Sequence, residues 1–201
     1  MRGRGLVLSR LLTLVAVLLP LPAAAHMPSS GLGPVYDGIF HLLLSPEDLI
    51  PLIALALLCG QRGAPFARRA LWVVPLAWFA GGLTGMFAPS THGAALSAVS
   101  FLLLGGLVAL NAQVPLALLT TLAALFGLFH GYLNGTGLHR FADGAYVLLG
   151  LAAAVCVIVA VFASLVIPLR RPWARIAVRV AGSWIAASGL LLLGWALRGA
   201  R

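Results

Sequence analysis

The stretch Tyr36-Asp37-Gly38-Ile39-Phe40-His41-Leu42-Leu43-Leu44-Ser45-Pro46-Glu47-Asp48-Leu49-Ile50-Pro51-Leu52 decides how this chain is read. Three of the four acidic residues and one of the five histidines sit in it, heading an apolar run that continues to Cys59. An ionisable group inside a membrane span costs roughly 2.5–3.5 kcal/mol on insertion scales and normally faces a polar cavity or a partner. Charge placed here therefore has a task. On a regular helix His41 and Asp48, seven residues apart, share a face, with Glu47 beside Asp48. Pro46 and Pro51 each remove a backbone donor and crowd the preceding turn, which predicts a kink or an unwound patch next to the two carboxylates. Unwound backbone beside carboxylates is one way transporters build a cation site.

The rest of the composition makes lipid the surroundings of this stretch. In 201 residues, 62% are hydrophobic, 8% are charged and the mean hydropathy is +1.07, which excludes an ordinary soluble domain. All thirteen cations are arginine, and 23 glycines suit close helix packing in a bilayer. The pI near 11.5 does not indicate nucleic acid, because the basic residues fall in short connectors between apolar runs, where membrane topology accounts for them. Cys59 and Cys156 lie inside apolar runs without C-x-x-C spacing, so they read as packing residues.

Residues 1–25 carry Arg2, Arg4 and Arg10, then the apolar run Leu11 to Leu19, then Ala23 and Ala25 as the small residues of a signal-peptidase site. Cleavage after Ala25 is expected; the alternative is an uncleaved first helix. Removing three of thirteen arginines leaves ten against four acids, a net +6, and makes His26 the amino terminus, where amine and imidazole can chelate one cation together. Residues 26–201 then form one membrane domain. Six apolar segments follow, at about 39–59, 71–88, 93–110, 114–133, 144–168 and 176–197, each near the length that crosses the hydrocarbon. Arg62, Arg68 and Arg69 follow the first, and Arg170, Arg171 and Arg175 the fifth; both connectors are cytoplasmic under the positive-inside rule, which agrees with six crossings. The expected architecture is thus an all-α, polytopic helical bundle with six transmembrane helices after a cleaved signal peptide.

The third segment offers only Ser97 and Ser100 as polar side chains and reads as scaffold. Gly81 and Gly85, and Gly127, Gly131 and Gly135, form small-x-x-x-small steps in the second and fourth. Asp37 and Asp143 each precede a span, where helix capping suffices to explain them. Four tryptophans and Trp78 fit interface belts for the most part. A second polar stretch runs from Phe126 to Asp143, and in it His130 and Asn134, four apart, share a helix face. His41 and His130 lie near the outer ends of their spans, with Glu47 and Asp48 deeper. Together they suggest a polar funnel with imidazoles at its rim.

The pairing of Gly38-x-x-His41 with Phe126-x-Leu128-Phe129-His130-Gly131-Tyr132 resembles the HupE/UreJ family of nickel and cobalt permeases. Length, six spans after a signal peptide and the amino-terminal histidine are similar too, so the resemblance covers most of the chain. Ser45-Pro46-Glu47-Asp48 stands where that family usually has Gly-x-Asp-His, Asn134 where a second histidine is usual, and Gly137 where an acid is common. Histidine nitrogen with carboxylate oxygen suits borderline divalent metals such as Ni²⁺, Co²⁺, Zn²⁺ or Mn²⁺, and oxygen in place of nitrogen moves preference toward harder ions.

The function expected is a secondary permease of the bacterial inner membrane. His26, His41 and His130 would catch a divalent cation at the outer mouth and pass it to Glu47 and Asp48, with Asn134 beside them. The partners are the bilayer and the transported metal, not nucleic acid; no resident cofactor is expected, and self-association stays open. Competing readings are a membrane-embedded metal-dependent enzyme and a non-transporting membrane subunit. The absence of a G-x-x-x-x-G-K-[ST] loop and of H-E-x-x-H argues against ATP hydrolysis and against a zinc protease.

Overall fold

Pro46 decides the course of the first apolar segment. The ring of a proline disfavours helical backbone in the residue before it, and Ser45 stands at φ −102°, ψ 89°, outside the helical region. Pro46 itself opens the next helix, where a missing N–H costs nothing. The result in the computed structural model, which describes residues 30–88, 93–138 and 141–199, is two helices meeting at 77°. They are α1 (Pro34–Leu44) and α2 (Pro46–Arg62), and the bend removes the shared face expected of His41 and Asp48. Pro51 stays inside α2 and only withholds a donor from the Glu47 carbonyl.

Five further helices follow: α3 (Ala64–Gly85), α4 (Ala94–Ala109), α5 (Leu116–Gly137), α6 (Gly144–Val166) and α7 (Pro172–Gly199). The described residues contain no strand. Each expected apolar segment has a helical counterpart, the first as a broken pair. By length and apolarity α5, α6 and α7 are able to cross a membrane, and α1 with α2 makes a fourth if the bent pair is one span. α4, at 16 residues, is short, and α3 carries Arg68 and Arg69 together with Pro65 and Pro75. The described residues therefore form an all-helical membrane bundle with three to four candidate spans. The expected signal peptide and His26 lie outside the described residues.

α2 is the middle of the bundle. From Leu52 to Cys59 its side chains are buried apart from Ile53, and it touches every other helix. The closest pairing is α3 with α5, and glycine makes it possible. A Cβ on Gly131 would strike the Trp78 carbonyl, one on Gly135 that of Gly82, and one on Gly81 that of Leu128. The small-x-x-x-small steps on both helices thus interlock, and the backbones approach as no larger residue allows. α7 lies at the edge, packed chiefly on α4, with 11% of its most apolar window buried.

Two expectations about single residues change. Asp37 lies within α1 rather than capping it, and its Oδ1 accepts the Ser30 N–H at 2.6 Å. Asp143 occupies the N-cap position of α6 without making a side-chain cap bond. Trp78 is fully buried, unlike Trp72, Trp173, Trp184 and Trp195, which are 65–80% exposed as an interface belt requires.

Candidate functional site

Asp48 is the third residue of α2, in the first turn created by the break at Ser45. The unsatisfied N–H groups and positive dipole end of that turn favour a carboxylate there. Its side chain points into the bundle and is buried, whereas Glu47 is exposed. One carboxylate oxygen meets His130 Nδ1 at 2.7 Å, and the other accepts Asn134 Nδ2 at 2.8 Å. A buried carboxylate that lacked such partners would cost several kcal/mol.

His130 sits in the middle of α5 with no exposed surface. Its ring is walled by Phe126, Trp78 and Phe129, with centroids 4.4, 5.6 and 5.1 Å away. The Gly131 contact with Trp78 holds α3 close enough to form that wall. On the far side of the ring Nε2 lies 3.1 Å from Ser100 Oγ. With Asp48 ionised, Nδ1 carries the proton and Nε2 keeps a lone pair that the Ser100 hydroxyl donates to. A carboxylate on one nitrogen is the arrangement that orients metal-binding histidines and raises the basicity of the other nitrogen.

Asn134 follows His130 by one helical turn. Its Nδ2 donates both to Asp48 Oδ2 and to the His130 carbonyl, each at 2.8 Å. Both partners are acceptors, so the orientation of the amide is set by chemistry. Among the described residues Asn134 Oδ1 is left buried with no hydrogen-bond donor. An orphaned buried oxygen beside a carboxylate is suited to a cation or a water bound to one.

Of the six residues singled out in the sequence, Asp48, His130 and Asn134 converge. His41 is half-buried on the last turn of α1, beyond the 77° bend, and among the described residues no hydrogen bond joins it or Glu47 to the trio. Nor do any three His, Cys, Asp or Glu side chains among the described residues stand close enough to hold an ion by themselves. Ser100 and Trp78 were not anticipated: α4, expected as scaffold, supplies the hydroxyl on Nε2. A lone serine in an apolar helix gives no warning of that, since such residues commonly bond their own backbone.

The family model described as HupE / UreJ protein matches residues 14–192. The chain belongs to the HupE/UreJ family. The match takes in all three converging residues. Within curated proteins, the chain is 26% identical over 188 residues to Protein HupE of Rhizobium leguminosarum bv. viciae, covering 90% of this chain and 95% of that relative. No solved structure matches. Membership in this transport-related membrane family agrees with the apolar bundle and with a polar cluster at its heart.

Proposed function

We propose that this HupE/UreJ chain is a secondary permease of the bacterial inner membrane for a divalent transition-metal cation, Ni²⁺ or Co²⁺ in the first instance. One observation carries the reading: a carboxylate, an imidazole and an amide oxygen lie buried together at the broken start of a central helix. Buried ionisable groups in membrane proteins mark ion pathways more often than they serve stability.

The donors follow from the hydrogen bonds. Turning the Ser100 hydroxyl away frees the His130 Nε2 lone pair, and Asn134 Oδ1 has no donor to surrender. Asp48 supplies negative charge and keeps the ring in its metal-binding tautomer. His26 and His41 belong to the outer approach, and Glu47, one residue before Asp48, hands the ion inward. In this reading the arginine-rich connectors lie on the cytoplasmic side, as the positive-inside rule favours, so that the route runs across the bilayer. One nitrogen among several oxygens widens the range of ions toward Zn²⁺ and Mn²⁺.

Accumulation of labelled Ni²⁺, Co²⁺, Zn²⁺ and Mn²⁺ in cells tests the reading. The parent chain raises uptake of at least one of them above an empty vector, and His130→Ala returns it to the vector level. Uptake by the parent no greater than the vector's for all four ions overturns it.

A further inference from the structure

At the end of the bundle away from Asp48 and His130, the carboxyl end of α2, the α4–α5 connector and the junction of α6 with α7 line an open pocket of about 350 Å³. Its walls include Gln61, Gly63, Asn111, Leu169, Arg175 and Arg179. Arg62 stands beside it, its guanidinium donating to Asn111 Oδ1 at 2.6 Å, close enough to Arg175 for the two charges to repel. Arg179 donates from Nε to the Ala109 carbonyl at 2.8 Å. Three guanidiniums thus gather where, among the described residues, no carboxylate pairs with any of them. The nearest acid along α2 is Asp48, near the opposite end of the helix and 14 residues before Arg62, about 21 Å of axial rise away.

Such a surplus of charge at the edge of a bilayer calls for an anion. Each guanidinium has five N–H donors in a planar fork, and the bonds above use few of them. Arg62 Nε is buried without an acceptor. Gln61 donates from Nε2 to the Val108 carbonyl at 3.2 Å, while its Oε1 is buried without a donor. Of the three guanidiniums, those of Arg175 and Arg179 line the pocket and are accessible from it, so it offers guanidinium donors for charged oxygens. Arg68, Arg69, Arg170 and Arg171 supply the same sign of charge near the same end but do not line the pocket, whereas Arg175 and Arg179, also solvent-accessible, do.

We infer that this pocket is a binding site for a phosphate group, held by Arg175 and Arg179, with the charge of Arg62 behind them. Two sources share that chemistry: the headgroup of an anionic phospholipid such as phosphatidylglycerol, and free phosphate. Basic pockets between helices on the cytoplasmic side are where anionic headgroups bind. The site does not depend on the transport reading, since it lies at the other end of α2 and uses none of the same side chains.

The test is native mass spectrometry of the full chain, purified in a neutral maltoside detergent, with phosphatidylglycerol or phosphatidylcholine added. The parent retains phosphatidylglycerol in preference to phosphatidylcholine. Arg175→Gln weakens that binding about fivefold, and Arg175→Gln with Arg179→Gln weakens it further by a similar factor. Arg175→Lys keeps most of it, and the exposed pair Arg68→Gln with Arg69→Gln leaves it unchanged. Inorganic phosphate added as competitor separates the sources: displacement of the lipid at millimolar phosphate assigns the site to free phosphate, and retention of the lipid assigns it to the phospholipid headgroup. Equal retention of the two lipids by the parent, or loss in the Arg68 and Arg69 variant as great as in the Arg175 variant, overturns the inference.

Discussion

Asp48 and His130 are 82 positions apart in the chain, and the carboxylate of one lies 2.7 Å from Nδ1 of the other, inside the bundle. Two local events produce that meeting. Pro46 starts α2 afresh so that its first turn delivers Asp48 inward, and the glycines of α5 let α3 press Trp78 against the imidazole.

Removing the charge isolates the imidazole. Asp48→Asn keeps the shape of the side chain but weakens the bond to Nδ1 and frees the ring to take either tautomer. Stability falls by about 1–3 kcal/mol, as when a buried hydrogen-bonding group loses its charged partner. Thermal unfolding in detergent measures this, and metal accumulation in cells falls with it.

Gly131 is the tightest test of the packing. A Cβ there meets the backbone of Trp78, which cannot rotate away, so Gly131→Ala separates α3 from α5 at a cost of about 1–3 kcal/mol. Gly137→Ala, on the same helix with open space around its Cβ position, is the control and leaves the unfolding temperature unchanged or slightly raised.

The bend between α1 and α2 depends on the residue before a proline. Pro46→Ala restores helical backbone to Ser45 and lets the two helices straighten. Spin labels at Tyr36 and Ala64 then stand farther apart than in the parent, and uptake falls although the protein still folds. An unchanged distance would mean that packing, not Pro46, holds the 77° angle.

Asn134 tunes the choice of ion. Replacing its amide oxygen by an imidazole nitrogen in Asn134→His favours Ni²⁺ and Co²⁺ over Mn²⁺, by about tenfold in competition for uptake, a change of the size that altered metal environments produce.

Much of this was legible in the sequence, and the failures have physical causes. Long apolar runs between arginine-bearing connectors mark helices whatever their packing, so the helical segments were readable one by one. The break beside Glu47 and Asp48 was readable because proline acts on its immediate neighbour. What a periodicity argument cannot carry is direction across a break: His41 and Asp48 share a face only on an unbroken helix, and a 77° turn removes that relation. Ser100 and Trp78 owe their places at His130 to contacts between helices distant in sequence, and nothing near either residue distinguishes it from scaffold or from an interface tryptophan. His130 and Asn134 were readable together because one helical turn separates them.

The most direct test is metal flux into proteoliposomes that hold only this protein and an internal metal-sensitive dye, with Ni²⁺, Co²⁺, Zn²⁺ or Mn²⁺ outside. The account predicts entry of at least one ion through the parent protein and entry no faster than through protein-free liposomes for His130→Ala and Asp48→Asn, with both variants shown to be folded. Equal flux through the parent and those variants would contradict it.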